Sequence, residues 1–278
     1  MNELTDISQL SFRSNINTYE YGRKTIVLYD DHRWILNVIY EAKKLNLFRD
    51  KLPNVIYFDY HDDGMPTHII LGNYGVDNVT DIDARSFWSM VEFDVRSLDD
   101  NWVTTGMELG LINNVICVGQ VANNNIDIWE NNEYIDNKGV RHKGFCIRHF
   151  QEEMKRGGVF ERISHASGDI TTAIQHILDY SERGFLSVVR NPFILDFDLD
   201  CFSYNENGEQ RAWPEKQFVE YYLNPDVYYF MCSLIDRATI ITICREPKCC
   251  GGLGESNKIL GYLDRYLFDG ALGTEPIQ

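Results

Sequence analysis

No run of eighteen or more apolar residues occurs in this sequence, so no membrane span is expected. The opening stretch, Met1-Asn2-Glu3-Leu4-Thr5-Asp6, lacks the basic and apolar regions of a secretory signal, and a cytoplasmic location is expected. No CxxC spacing appears among the seven cysteines, which argues against a zinc ribbon or thioredoxin-type site. Cys117 and Cys244 sit inside apolar runs and read as buried, reduced thiols. Basic residues are scarce, 26 against 42 acidic ones, for a formal charge of −16. Such a field repels nucleic acid and anionic lipid and attracts cationic ligands. No repeat, low-complexity tract or Pro/Ser-rich linker marks a boundary, so residues 1–278 are expected to form a single domain.

Short β-branched runs alternate with amphipathic stretches. Strands are predicted at 25–29, 55–58, 114–118, 193–197 and 239–244. After the first, Trp34, Ile35, Val38, Ile39, Ala42 and Leu45 fall on one helical stripe. Further helices are predicted near 82–97, 103–111, 170–183, 215–223, 226–237 and 256–267. The alternation implies an α/β fold whose mostly parallel sheet is covered on both faces. The segment 123–148, with its turn signal Asn137-Lys138-Gly139, breaks the rhythm and reads as a hairpin excursion from the main sheet. Ligands in such folds bind beyond the carboxyl ends of the strands.

Three clusters of ligand-type residues lie at those ends. The second strand runs into Asp59-Tyr60-His61-Asp62-Asp63, and strand alternation would point Asp59, His61 and Asp63 the same way if the chain stayed extended. Two carboxylates held this close repel each other unless a cation sits between them; the bland alternative is a solvated acidic loop. In Leu195-Asp196-Phe197-Asp198-Leu199-Asp200, three acids alternate with core residues on a strand flanked by apolar sequence. There they need a metal or a dense hydrogen-bond network, unless the strand is an edge with a solvated face. The third cluster is Asp30-Asp31-His32 at the end of the first strand, where His32 is either a ligand or a capping and packing residue. Imidazole with an excess of carboxylate suits Mn²⁺ ahead of Fe²⁺, Co²⁺ or Zn²⁺.

Asp59-Tyr60-His61-Asp62-Asp63 resembles the Asp-x-His-x-Asp motif of the arginase and agmatinase superfamily. Asp196-Phe197-Asp198-Leu199-Asp200 resembles its later Ser-x-Asp-x-Asp strand, with Asp196 in the serine's place. Asp31-His32 keeps the Asp-His pair of the family's Gly-Gly-Asp-His segment but lacks both glycines, as in a divergent branch that includes peptide arginases. The resemblance implies a three-layer arginase/deacetylase-like fold and two Mn²⁺ ions. One ion would be held by His32, Asp59, Asp63 and Asp198, the other by Asp59, His61, Asp198 and Asp200. It implies that Glu246, after the last strand, pairs with the substrate guanidinium, unless it pairs with Arg245 or Lys248 instead. Asp63 would orient the attacking water. His68 is a candidate for protonating the departing amine, with His142, His149, His165 and His176 as alternatives. The implied reaction converts arginine, in a peptide or as a small guanidine, to ornithine and urea, with neither nucleic acid nor membrane as partner. Competing readings are a one-metal zinc deacetylase on the same fold and a non-catalytic acidic binder of basic peptides. A haloacid-dehalogenase-type phosphatase would use Asp198-Leu199-Asp200 but leaves Asp59, His61 and Asp63 without a role.

Overall fold

A computed structural model describes residues 16–95, 101–119, 133–148, 191–223 and 225–274. Ten strands carry the described architecture: β1 (Asn17–Tyr21), β2 (Lys24–Tyr29), β3 (Asn54–Phe58), β4 (Val115–Gly119), β5 (Glu133–Ile135), β6 (Arg141–Arg148), β7 (Phe193–Asp198), β8 (Ser203–Glu206), β9 (Glu209–Ala212) and β10 (Ile240–Cys244). Eight of them form one sheet in the order β1-β2-β10-β7-β3-β4-β6-β5. Its six central strands are parallel, and only the edge strands β1 and β5 run antiparallel. The fold is thus α/β with a large, mostly parallel central sheet.

The central strands β2, β10, β7, β3 and β4 are buried on both faces, which is why they read as continuous apolar runs. Val27, Tyr29, Val55, Tyr57, Val115 and Cys117 pack on one side against α1 (Ile35–Lys44), α2 (Ala84–Phe93) and α3 (Trp102–Glu108). Ile26, Leu28, Ile56, Phe58, Leu195 and Phe197 pack on the other against α4 (Glu215–Tyr222), α5 (Pro225–Arg237) and α6 (Leu253–Leu267). The period-two split of each strand between the two sets produces three layers. Among the described residues, no helix is long and apolar enough to cross a membrane.

Predicted strands and helices match described elements to within a few residues, except that 170–183 lies outside the described residues. The turn at Asn137-Lys138-Gly139 joins β5 to β6, with Gly139 at φ 77°. This hairpin extends the sheet rather than leaving it, because β6 pairs in parallel with β4. The β8–β9 hairpin had no counterpart among the expectations, although Asn207-Gly208, both at positive φ, is a two-residue hairpin signal.

Strand order also places the site. The chain builds β3, β4 and β6 outward in one direction, then returns to lay β7 and β10 on the opposite side of β3. The order therefore reverses between β3 and β7, the switch point at whose carboxyl ends sheets of this kind form a ligand-binding crevice. Close packing there depends on Gly119 at the end of β4. A Cβ at this position would lie 2.2 Å from the backbone oxygen of Asp59 and 2.8 Å from Cys201 Sγ. We expect Gly119→Ala to cost about 1–3 kcal/mol by overpacking, seen as a lower denaturation midpoint in urea. An unchanged midpoint would mean that this approach is not constraining.

Candidate metal centre

His32, Asp59, His61, Asp63, Asp198, Asp200 and Glu246 meet at this crevice. Asp59 directly follows β3, and Asp198 ends β7. Two expectations about local geometry are corrected. The chain does not stay extended after Asp59: the Asp59 carboxylate accepts from the His61 amide at 2.7 Å, turning the backbone, and Asp63 sits in the left-handed region at φ 47°. Asp200 likewise is not on the strand but in a 3₁₀ turn, Leu199–Phe202, capped by Asp198, whose Oδ1 accepts from the Asp200 amide at 3.1 Å. Short side-chain-to-backbone bonds, rather than strand alternation, aim these groups inward.

His32 enters from the turn that leads into α1, capped by Asp31. Its Nδ1 lies 3.0 Å from Asp63 Oδ2, 3.0 Å from Asp198 Oδ2 and 3.4 Å from Asp59 Oδ2. His61 Nδ1 lies 3.1 Å from Asp200 Oδ2 and 3.8 Å from Asp59 Oδ1, and the Tyr60 amide donates to Asp200 Oδ1 at 3.1 Å. Two overlapping ligand groups result, His32–Asp59–Asp198 and Asp59–His61–Asp200, each with its donor atoms within 4.8 Å of one another. Asp59 belongs to both.

Three further groups back this cage, of which Trp102 and Cys249 were not foreseen from the sequence. The Trp102 indole donates to Asp63, and its ring lies 4.8 Å from that of His32. Asp196, behind the cage, accepts from Tyr29 and Thr242 and faces His32 Nε2 at 2.8 Å. Cys249 joins Asp200 and Glu246 in a further grouping. The alternating acids of β7 were a signal for Asp196; nothing local marked Trp102 or Cys249.

Glu246 follows β10 at φ 33°, another left-handed position at which a side chain is strained. Its neighbour Arg245 does not pair with it. The Arg245 guanidinium forks around Asp30, with Nε 2.5 Å from Oδ1 and Nη2 2.9 Å from Oδ2, and the Arg245 amide donates to Tyr29 O at 2.8 Å. This clamp ties the end of β10 to the end of β2 and leaves Glu246 beside Asp198 and Asp200. No basic side chain forms an ion pair with Glu246 among the described residues.

His68 is exposed, and no hydrogen bond or ion pair joins it to the cage among the described residues. His142 is buried on β6, facing Asn113 O at 2.6 Å and Asp136 at 3.5 Å. Asn113 precedes β4, so His142 lies at the opposite end of the sheet from the crevice. His149, His165 and His176 lie outside the described residues.

Six buried carboxylates (Asp59, Asp63, Asp196, Asp198, Asp200 and Glu246) thus face two imidazoles. Burial pushes Asp59 well above the usual carboxylate range, and the charges of Asp63, Asp200 and Asp198 push it further. Burial, Asp200 and Glu246 do the same to Asp198. Burial also acts on Asp63, but hydrogen bonds from His32 and Trp102 and the charges of both histidines outweigh it and hold that carboxyl low. Burial alone would lower His32, yet Asp196 and Asp198 raise it well above its ordinary value. Glu246 is pushed up to about 7, first by burial and then by Asp200 and Asp63. Asp59 Oδ2 is buried and accepts no hydrogen bond. An orphaned carboxylate oxygen amid mutually repelling acids is an arrangement that divalent cations relieve. The donor set fits divalent cations.

No family model matches the chain, and no curated protein matches it. Among solved structures, it is similar to the proclavaminate amidino hydrolase from Streptomyces clavuligerus, at 12% identity and a TM-score of 0.42. The match covers 90% of this chain and 64% of that one, so the chain spans about two thirds of that enzyme's length.

Without cations the cage carries a pH-dependent cost. Glu246 and His32 both keep their protons to higher pH in the folded chain than when unfolded. The unfolded chain therefore releases protons first, and stability falls as pH rises through their windows, from 4.5 to about 7 for Glu246 and upward from 6.5 for His32. Thermal melts of the metal-free protein should give a lower Tm at about pH 8 than at about pH 5.5. Added Mn²⁺ should raise Tm more at the higher pH, because it competes with protons for the same groups. The opposite ordering would remove the electrostatic case for the centre.

Proposed function

We propose that this protein hydrolyses the guanidinium group of arginine, within a peptide, to ornithine and urea. The observation that carries the reading is Glu246, a buried carboxylate beside the cage whose adjacent arginine is committed elsewhere. A carboxylate so placed offers two acceptor oxygens to a planar fork of N–H donors, the shape a guanidinium presents. The chain's charge of −16 draws cationic peptides toward the crevice.

His32, Asp59, Asp63 and Asp198 would hold one divalent ion, and Asp59, His61, Asp198 and Asp200 a second. When bound, the pair supplies Lewis acidity and a water whose pKa is brought toward neutrality. Glu246 orients the guanidinium so that its central carbon faces that water. Asp63, kept ionised and pinned by the Trp102 indole, accepts a hydrogen bond from the water and fixes its lone pair on the carbon. Water oxygen bonds to the carbon, and the bond from carbon to the side-chain nitrogen breaks. Both protons of the water end on the departing nitrogen, leaving the ornithine side chain as its ammonium ion and urea neutral. The mixed carboxylate–imidazole donor set suits Mn²⁺.

Mass spectrometry of arginine-containing peptides incubated with the Mn²⁺-loaded protein should show loss of one CH₂N₂ unit per modified arginine, with urea released in equal amount. Glu246→Ala should retain bound metal yet lose about 10²–10³-fold in kcat/KM, the usual effect of deleting one preorganised electrostatic contact. Undiminished turnover in that variant rejects Glu246 as the guanidinium partner and turns attention to deacetylation.

A further inference from the structure

Asp196 stands outside the ligand set, yet it is fully enclosed, at 0% exposure. It lies in register with Thr242 on β10 and Tyr57 on β3, deep within the parallel sheet. Its two oxygens are used differently. Oδ1 accepts from the Tyr29 hydroxyl at 2.9 Å and the Thr242 hydroxyl at 2.5 Å, while Oδ2 faces His32 Nε2 at 2.8 Å. The opposite ring nitrogen, Nδ1, points at Asp59, Asp63 and Asp198.

We infer that Asp196 is a positioning residue that holds the Nε2–H of His32, so that when a cation displaces the Nδ1 proton the lone pair left behind is presented to the cage. This inference rests on the metal reading above and deepens it. A histidine binds a cation through one nitrogen only when the proton stays on the other, and a carboxylate behind the ring secures both the proton and the ring plane. A carboxylate can only accept, so with both hydroxyls donating to Oδ1 the Oδ2 atom is matched by a proton on Nε2. Tyr29 and Thr242 hold the carboxylate from behind, which keeps Oδ2 on the axis of the ring.

The arrangement makes an unusual demand on a nearly isosteric change. In Asp196→Asn, the two hydroxyls favour the amide oxygen at the Oδ1 position. The amide NH₂ then faces His32 Nε2, where a donor meets a donor. The imidazole can relieve this only by moving its proton to Nδ1, the nitrogen that must stay free for a cation. A substitution that hardly alters shape should therefore weaken metal binding.

The test is Mn²⁺ titration by calorimetry on the full chain, with a thermal melt of each metal-free variant as the folding control. Asp196→Asn is expected to melt cooperatively and to bind Mn²⁺ 10–100-fold more weakly than the unmodified protein. Equal affinity would overturn the assignment. If Asp196→Asn fails to fold, Thr242→Val decides the matter. It keeps every charge and merely frees Asp196 to turn, so several-fold weaker binding supports the inference and unchanged binding overturns it. Should the unmodified protein bind no Mn²⁺, the metal reading itself fails. The role of Asp196 is then judged from the metal-free protein by nitrogen-15 NMR of His32. A hydrogen-bonded Nε2 proton that disappears in Asp196→Asn sustains the positioning role, and its persistence refutes it.

Discussion

Mutual repulsion among buried carboxylates at the ends of β3 and β7 is the constraint around which the rest of the crevice is arranged. Asp59, Asp198 and Asp200 are almost fully withdrawn from water and within ligand distance of shared neighbours. Isolated carboxylates in such surroundings would take up protons instead of remaining charged. The fold holds them there with short local bonds, from the His61 amide to Asp59, the Asp200 amide to Asp198 and the Tyr60 amide to Asp200. Those bonds fix direction but leave Asp59 Oδ2 unsatisfied. The scaffold is in this sense prepared for positive charge.

The same logic separates the roles of acids that look alike along the chain. Asp196 and Asp198 share one face of β7, two residues apart, but Asp198 reaches the crevice while Asp196 stays among Tyr29, Thr242 and His32. Asp63 owes its place to a left-handed backbone and the Trp102 indole, and Glu246 to another left-handed position behind the Arg245–Asp30 fork. Among the acids of the cage, the left-handed backbone falls on these two, in line with the tendency of such conformations to gather where geometry matters to chemistry. Arg245 illustrates how an apparent neighbour can mislead: its bidentate partner lies on the adjacent strand end, and that choice leaves Glu246 beside Asp198 and Asp200.

The layered architecture and the three donor clusters were legible before any coordinates. Apolar runs of four to six residues alternating with amphipathic stretches specify buried parallel strands and their covering helices, because period and burial are local properties of the chain. Asp59, His61, Asp198 and Asp200 stood out because acids and imidazole directly following such runs are costly without a partner. Pairing was beyond reach of the same reasoning. That the hairpin at β5–β6 continues the sheet follows from where β6 finds an unpaired edge, on β4, and edges exist only once the sheet is assembled.

Residue types, strand ends and the abundance of negative charge were thus determined by the sequence alone. Tertiary structure decided which nitrogen of His32 faces the cage, which acid stands behind it, and which arginine is spent on Asp30. Each of those outcomes depends on strand order, and strand order brings together residues more than a hundred positions apart, such as His32 and Asp196. Local pattern carries no information about such neighbours, because their meeting is governed by how whole strands pack rather than by the preferences of any short segment.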